Sequence, residues 1–126
     1  MTNKKTILIA EDEAAMLAAL SKKFIGAGFN VLEAKDGEEA LVKAFDKKPD
    51  LVMLDIIMPK IEGIEVMKKI RKSRQWGGEV PIIMLTNLSD SDSVSEATKF
   101  RVYDFLVKTD WRLDDIVNLV KAKLNL

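Results

Sequence analysis

The sequence contains neither cysteine nor histidine. Without thiols the chain has no disulfide, no thiolate metal ligand and no cysteine nucleophile. Without imidazole it has no His-ligated zinc site and no histidine general base. Carboxylates are then the only strong metal ligands, and carboxylate sites favour hard cations such as Mg²⁺.

An excess of charge of one sign and a long apolar run are also missing. Twenty basic residues balance twenty acidic ones, so no overall field attracts the chain to nucleic acid or to an anionic membrane. No apolar run approaches the roughly 20 residues that span a bilayer, and the start of the chain lacks the apolar stretch of a signal peptide. We therefore expect a cytoplasmic protein that binds neither nucleic acid nor membranes directly.

The chain has 126 residues, of which 48% are hydrophobic, which is enough for one core and too little for two ordinary domains. We expect a single domain over residues 1–126. Apolar runs rich in β-branched residues are typical of strands buried on both faces of a parallel sheet. Such runs lie at 6–10, 51–55, 82–86 and 104–107, and a more mixed segment at 29–34 predicts an edge strand.

Between the strands, apolar residues three and four apart predict helices. Asp36 and Glu39 form a capping-box-like helix start, and Asp110 is placed to cap the last helix. Turn or stop signals are Gly26, Gly28, and the group Gly77, Gly78 and Pro81, whereas Gly63 opens a helix. Five strands alternating with five helices predict right-handed crossovers and a doubly wound α/β fold.

Polar groups that can carry chemistry follow four of the apolar runs. They are Glu11, Asp12, Asp55, Thr86 and Lys108. Because parallel strands end at one edge of a sheet, and ligands bind beyond that edge, we expect these groups to meet there. Crowded carboxylates need a cation, and a phosphoryl group on Asp55 would find the Lys108 ammonium and the Thr86 hydroxyl beside it.

These residues occur in an order that resembles a known family. The relevant segments are Glu11-Asp12, Asp55-Ile56-Ile57-Met58-Pro59 followed by Gly63, Thr86, and Phe105-Leu106-Val107-Lys108. With this spacing the chain resembles, over nearly its whole length, the receiver domain of bacterial two-component response regulators. The resemblance implies a flavodoxin-like three-layer sandwich whose five-stranded parallel sheet has the order 2-1-3-4-5.

The resemblance also implies site roles. Asp55 accepts a phosphoryl group from a histidine kinase or a histidine phosphotransfer protein. Glu11, Asp12, Asp55 and the main-chain carbonyl of Ile57 hold Mg²⁺, and Thr86 and Lys108 contact the phosphoryl oxygens. The domain is then a phosphoacceptor that supports its own phosphorylation and dephosphorylation, not an enzyme with a separate substrate.

A switch in surface structure is the output that the resemblance implies. Thr86 moves toward the phosphoryl group and Phe105 turns inward, with Tyr103 as a second candidate for the switch aromatic. The surface of the fourth helix, fifth strand and fifth helix then binds a downstream protein. The sequence names neither kinase nor target, and it leaves open a stand-alone protein, a receiver separated from a longer chain, and a phosphorylation-dependent homodimer.

The chain departs from the family at three positions. Thr109 follows Lys108 where the family usually has a cis proline, and Asn87 and Leu88 follow Thr86 where a small residue is favoured. Neither Ile57 nor Leu88 can orient a hydrolytic water by hydrogen bonding. We expect Ile57, Asn87 and Leu88 to alter the rate of dephosphorylation, and we predict that the phosphorylated state is long-lived.

Three alternatives remain at this point. A receiver-like module that works without phosphorylation would keep the fold and lose the chemistry. A Mg²⁺-dependent phosphatase of the haloacid dehalogenase type carries Asp-x-Asp after its first strand, where this chain has Glu11-Asp12-Glu13. A flavodoxin-like cofactor carrier needs a phosphate loop at that place, and three acids there repel phosphate.

Overall fold

The computed structural model of the protein describes residues 4–73, 75–86, 91–108 and 110–126. Its strands are β1 (Thr6–Ala10), β2 (Asn30–Ala34), β3 (Leu51–Asp55), β4 (Ile82–Thr86) and β5 (Asp104–Val107). Its helices are α1 (Ala14–Gly26), α2 (Gly37–Lys47), α3 (Gly63–Arg71), α4 (Trp76–Glu79), α5 (Ser91–Thr98) and α6 (Leu113–Lys123).

The strands form one parallel sheet with the order β2-β1-β3-β4-β5, which confirms the predicted topology. The sheet register aligns Ala10 with Leu54, Asp55 with Leu85, and Thr86 with Val107. The carboxyl ends of the central strands are therefore level with one another. The mixed segment is the edge strand β2, as predicted, and it begins at Asn30.

Alternation along the strands divides the core into two halves. One half contains Leu8 of β1 and Val52 of β3, together with apolar residues of α2, α3 and α5. The other half contains Ile9 and Met53 from the same strands, with apolar residues of α1 and α6. Since successive strand residues point to opposite faces, the sheet is covered on both sides, and the chain is a three-layer sandwich.

Several local signals act as predicted. The backbone amide of Glu39 donates to Asp36 Oδ1 at 2.8 Å, so Asp36 caps α2. Glu39 Oε1 accepts from the amide of Lys35 at 2.8 Å, one residue before the cap, where a capping box would use the amide of Asp36. α1 ends at Gly26, and Gly28 has a φ of +97°, a conformation that favours glycine. No helix among the described residues is both long and apolar enough to cross a bilayer.

Two local predictions were wrong. The Gly77-Gly78 segment forms the additional one-turn helix α4, making six helices among the described elements. Tertiary contact overrides the low helix propensity of glycine there, because a Cβ on Gly77 would lie 2.0 Å from the Ile70 carbonyl oxygen. Asp110 does not cap α6: the helix begins after Arg112, which has extended backbone and makes no side-chain cap.

Candidate functional site

The predicted polar groups meet at the carboxyl edge of the sheet. Glu11 directly follows β1, Asp55 is the last residue of β3, and Lys108 directly follows β5. Together with Asp12, Glu13 and Ile57 they line a cavity of about 220 Å³. Glu13 is the one lining residue to which the sequence assigned no role, although it continues the acidic run Glu11-Asp12.

Three carboxylates form a compact cluster in this cavity. Oxygens of Glu11, Asp12 and Asp55 all lie within 4.8 Å of one another. Glu11 is completely buried and Asp55 is 4% exposed, whereas Asp12 is exposed at the mouth. Like charges at this spacing repel one another unless a proton or a cation is shared among them, so the arrangement is suited to bind a cation.

Among the described residues, Lys108 supplies the only cationic side chain that lines this cavity. Its Nζ donates to Glu11 Oε1 at 2.9 Å and to Asp55 Oδ2 at 2.9 Å, and it lies 2.6 Å from Glu11 Oε2. The Lys108 side chain is only 9% exposed. One ammonium thus balances one of the three negative charges, which leaves a net charge that matches a divalent cation.

Burial and charge act in opposite directions on these groups. Burial raises the pKa of Glu11, an effect reinforced by repulsion from Asp55 and opposed by the hydrogen bond from Lys108. Burial alone would lower the pKa of Lys108, but its hydrogen bonds to Glu11 and Asp55 outweigh that effect and raise the pKa. The raised pKa of Lys108 favours its ammonium form, whereas the raised pKa of Glu11 shows that burial works against its carboxylate form.

The backbone holds both buried carboxylates in place. The amide of Glu13 donates to Glu11 Oε1 at 3.1 Å, and the amide of Ile57 donates to Asp55 Oδ1 at 3.3 Å. Gly63 packs directly behind the site, since a Cβ there would lie 2.0 Å from the Asp55 carbonyl oxygen. The requirement at Gly63 is close backbone approach, which only a residue without a side chain permits.

The predicted switch residues lie at different depths. Thr86 is buried at the end of β4, one residue beyond the partner of Asp55 in the sheet, and it does not line the cavity. Phe105, in β5, is half-buried against the α2–α3–α5 half of the core. Tyr103 is 67% exposed. Because it directly precedes β5, it lies toward the amino-terminal edge of the sheet, opposite the edge that carries Asp55.

The predicted rate-tuning positions are only partly described. Ile57 is 69% exposed and lines the cavity, so an apolar side chain stands at its mouth. Asn87 and Leu88 lie outside the described residues, as does Thr109, and with it the peptide bond that joins Lys108 to Thr109.

The residues present fit Mg²⁺. Glu11 Oε2 is buried and lies 2.6 Å from the Lys108 ammonium, yet it accepts no hydrogen bond from the described residues, so it is available as a metal ligand. An oxygen-only donor set with one exposed member suits Mg²⁺, which keeps several water ligands and takes one or two protein carboxylates.

Comparison with known proteins agrees with this geometry. The family model of the response regulator receiver domain matches residues 7–121. The alkaline phosphatase synthesis transcriptional regulatory protein PhoP of Bacillus subtilis is 45% identical over 84 residues, which cover 67% of this chain. The match spans 33% of the length of PhoP, and the chain spans 41–45% of other curated transcriptional regulators that it matches.

Solved structures have the same fold. A CheY-like response regulator receiver domain protein from Methanospirillum hungatei is 25% identical and has a TM-score of 0.90, with 98% of this chain and 95% of that chain covered. CheY of Borrelia burgdorferi, in a complex with CheX, BeF3 and Mg²⁺, is 28% identical and has a TM-score of 0.83. That match covers 95% of this chain and 89% of the other.

Proposed function

Because this chain belongs to the family of response regulator receiver domains, we propose that residues 1–126 form one receiver domain in which Asp55 accepts a phosphoryl group from phosphohistidine. Receiver domains are signalling domains of two-component systems. The observation that carries the proposal is the buried Asp55 carboxylate, held 2.9 Å from the Lys108 ammonium within a cluster of three acids.

In the proposed transfer, a carboxylate oxygen of Asp55 attacks phosphorus. A new P–O bond forms as the P–N bond of phosphohistidine breaks, and the leaving imidazole keeps the electron pair and takes a proton from water. The Lys108 ammonium, which donates to the Asp55 carboxylate before the transfer, then pairs with the phosphoryl oxygens. Because the cavity is small and partly enclosed, this ammonium stabilises the developing charge more strongly than it would in bulk water.

The same proposal assigns a Mg²⁺ site to Glu11, Asp12, Asp55 and the main-chain carbonyl of Ile57. Mg²⁺ held there would neutralise charge on the transferred group. Glu11 would contribute the buried oxygen Oε2, which accepts no hydrogen bond from the described residues, and Asp12 would contribute an exposed carboxylate at the mouth. Mg²⁺ bound to the similar Borrelia protein supports this assignment.

The switch that we propose runs from Thr86 to Phe105. Thr86 is buried at the end of β4 and does not line the cavity, so we propose that its hydroxyl moves toward a phosphoryl group on Asp55. Phe105 pairs with Met84 in the sheet, two residues before Thr86, and its ring is half-buried against the core. We assign the switch to Phe105 and not to the exposed Tyr103, because Tyr103 lies before β5 and away from the site.

The output surface comprises α5, β5 and α6, which are the fourth predicted helix, the fifth strand and the last helix. α5 buries only Ala97 among its described side chains, with Val94 half-buried, so it is weakly anchored and free to shift. We propose a histidine kinase or histidine phosphotransfer protein as donor and a protein as target. The CheX complex of the Borrelia relative is an example of such a protein partner.

Phosphorylation with acetyl phosphate and Mg²⁺, followed by intact-mass measurement, tests the proposal. We expect the wild type to gain one phosphoryl group and Asp55→Asn to gain none. Asp46→Asn is the matched control, because Asp46 is an exposed aspartate of α2 whose partner is Lys47, and it should be modified like the wild type. A wild type that gains no phosphate in the presence of Mg²⁺ would leave the phosphorylation-independent module as the better account.

A further inference from the structure

A second polar cavity lies at the amino ends of β4 and β5, on the opposite edge of the sheet from Asp55. Its volume is about 280 Å³. β4 separates the two edges, and its five residues span about 16 Å. The groups that line the cavity include Arg71, Arg101, Tyr103 and Lys123, none of which takes part in the proposed phosphoryl transfer.

Arg71 is fixed in this cavity by the backbone. Its guanidinium donates to the carbonyl oxygens of Phe100 at 2.8 Å, Gly77 at 2.9 Å and Val80 at 2.6 Å. These bonds use Nε and Nη1, and no hydrogen bond of Nη2 is found within the described residues. Arg71 is thus a rigid, half-buried cation with donor capacity left over.

Arg101 brings a second guanidinium close to the first. Its Nη2 donates to the Gly78 carbonyl oxygen at 2.9 Å, and its backbone has a φ of +63° where the chain leaves α5. The pKa of Arg71 is lowered by burial and, next, by repulsion from Arg101. Neither arginine forms a salt bridge within the described ranges, so an anion between them would relieve this repulsion.

The remaining charges leave the cavity slightly positive. Lys123 is paired with Asp104 at 2.6 Å, and Glu79 lies near Arg71. Three cations against two carboxylates give a net charge of +1 for the lining residues. Tyr103 adds an aromatic ring that is 67% exposed and lines the cavity, so the ring is accessible to a bound ligand.

We propose that this cavity binds a phosphate monoester of mononucleotide size, with the phosphate on Arg71 and Arg101 and a planar ring on Tyr103. Guanidinium groups bind phosphate through paired, charge-assisted hydrogen bonds. Exposed tyrosine rings stack on nucleobases without strong base preference. The cavity volume of about 280 Å³ lies just below the range of typical ligand sites, about 300–1,000 Å³, so we propose a ligand as small as one nucleotide.

Titration with AMP, inorganic phosphate and adenosine, followed by amide NMR, tests the proposal in metal-free buffer. We expect AMP to shift the signals of Gly78, Arg101 and Tyr103 with a Kd of about 1 mM or tighter, since two charge-assisted hydrogen bonds suffice for that affinity. Inorganic phosphate should bind the same residues about fivefold more weakly, and adenosine more weakly still, because each lacks one of the two contacts.

Variants separate this cavity from the phosphoacceptor site. Arg101→Gln should weaken AMP binding about tenfold and Tyr103→Leu about threefold, whereas Asp55→Asn should leave it unchanged. Lys99→Gln is the charge-matched control, because Lys99 is an exposed cation that pairs with Glu96, and its effect should stay within about twofold.

Several results would overturn the proposal. They are an absence of AMP shifts at these residues, equal AMP affinity in wild type and Arg101→Gln, AMP binding no tighter than that of inorganic phosphate, and loss of binding in Asp55→Asn. Arg101→Gln is preferred to an Arg71 variant because Arg71 also ties three backbone carbonyls together. The proposed phosphorylation of Asp55 is tested independently, because its intact-mass experiment involves neither Arg71 nor Arg101.

Discussion

The Lys108 ammonium lies 2.6 Å from Oε2 of Glu11, a carboxylate with no exposed surface. The two residues are 97 positions apart in the chain, at the ends of β5 and β1. Since the same ammonium donates to Asp55, it is shared by two buried acids. This relationship makes Lys108 a structural element as well as a proposed ligand of the phosphoryl group.

Replacement of Lys108 by methionine should therefore destabilise the metal-free protein. Removal of one partner leaves a buried carboxylate without compensation, and we expect a loss of about 2–3 kcal/mol at neutral pH, because the cavity admits water and reduces the full penalty. Urea denaturation measures the change. Lys47→Met is the control, since Lys47 pairs with Asp46 at the exposed surface, and an equal loss in that variant would contradict the explanation.

The same variant should depend on pH in a defined direction. The pKa of Glu11 is raised by burial, and removal of the Lys108 hydrogen bond raises it further. A carboxyl group with a raised pKa binds more protons in the folded state, so the stability of Lys108→Met should increase as pH falls from neutral through that raised pKa. If the difference in unfolding free energy between the wild type and Lys108→Met stays constant from neutral to acidic pH, a charged Glu11 is not the cause of the lower stability.

Mg²⁺ should stabilise the wild type by mass action. At a free concentration ten times the Kd, the expected gain in unfolding free energy is about 1.4 kcal/mol, measured by urea denaturation with and without Mg²⁺. Asp12→Asn removes an exposed member of the acidic cluster and should lose most of the gain, whereas Asp46→Asn should keep it. Equal stabilisation of both variants would place the Mg²⁺ effect outside the cluster.

Gly63 offers a test of the close packing behind Asp55. A methyl group there would lie 2.0 Å from the Asp55 carbonyl oxygen, so Gly63→Ala must displace backbone and should cost about 2 kcal/mol or more. At Gly26, which ends α1, a Cβ meets nothing within 4 Å, and Gly26→Ala should be neutral or slightly stabilising. Thermal unfolding of both variants, and of the wild type, decides between these outcomes.

The ion pair between α3 and α5 should control how firmly α5 is held. Lys68 Nζ lies 2.8 Å from Glu96 Oε1 and 6.0 Å from the centre of the Phe100 ring. Lys68→Met and Glu96→Gln should each speed amide hydrogen exchange in α5, and the double variant should do so by less than the sum of the two. Strict additivity would show that the pair does not couple the two helices.

This ion pair also predicts a pH dependence. The hydrogen bond from Lys68 lowers the pKa of Glu96 and, in return, raises the pKa of Lys68. The stabilisation of α5 is therefore present above the unfolded pKa of Glu96 and lost as pH falls through its lowered value. It is also lost as pH rises through the raised pKa of Lys68. The protection of α5 amides, which is the exchange rate relative to the intrinsic rate at the same pH, should therefore be greatest between these limits.

Ile57 provides the test of the long-lived phosphorylated state. Its side chain lines the cavity and cannot hydrogen-bond a water, so Ile57→Asn should speed loss of the phosphoryl group by up to about tenfold, or about 1.4 kcal/mol of barrier. Decay after loading with acetyl phosphate and Mg²⁺ gives both rates. Wild-type decay faster than that of Ile57→Asn would refute the hypothesis.

Much of the fold could be predicted because its signals are local. The buried strands are continuous apolar runs, and Asp36 caps α2 through the amide of Glu39, as their spacing predicts. The errors arose where tertiary contact decides. α4 forms around Gly77, packed on the Ile70 carbonyl, and α6 begins after Arg112 without help from Asp110. The apolar periodicity of the sequence predicts neither the packing of Gly77 nor the residue at which α6 begins.

For the candidate site, the sequence alone determined which chemistry is available. It excludes thiols and imidazoles and places Glu11, Asp55, Thr86 and Lys108 at the ends of strands. Only the tertiary structure decided how the groups share charge. Lys108 bridges Glu11 and Asp55, while Thr86 is buried outside the cavity lining and Tyr103 lies at the other edge of the sheet. The reason is physical, because distances between side chains far apart in sequence depend on strand register and helix packing, which no local pattern encodes.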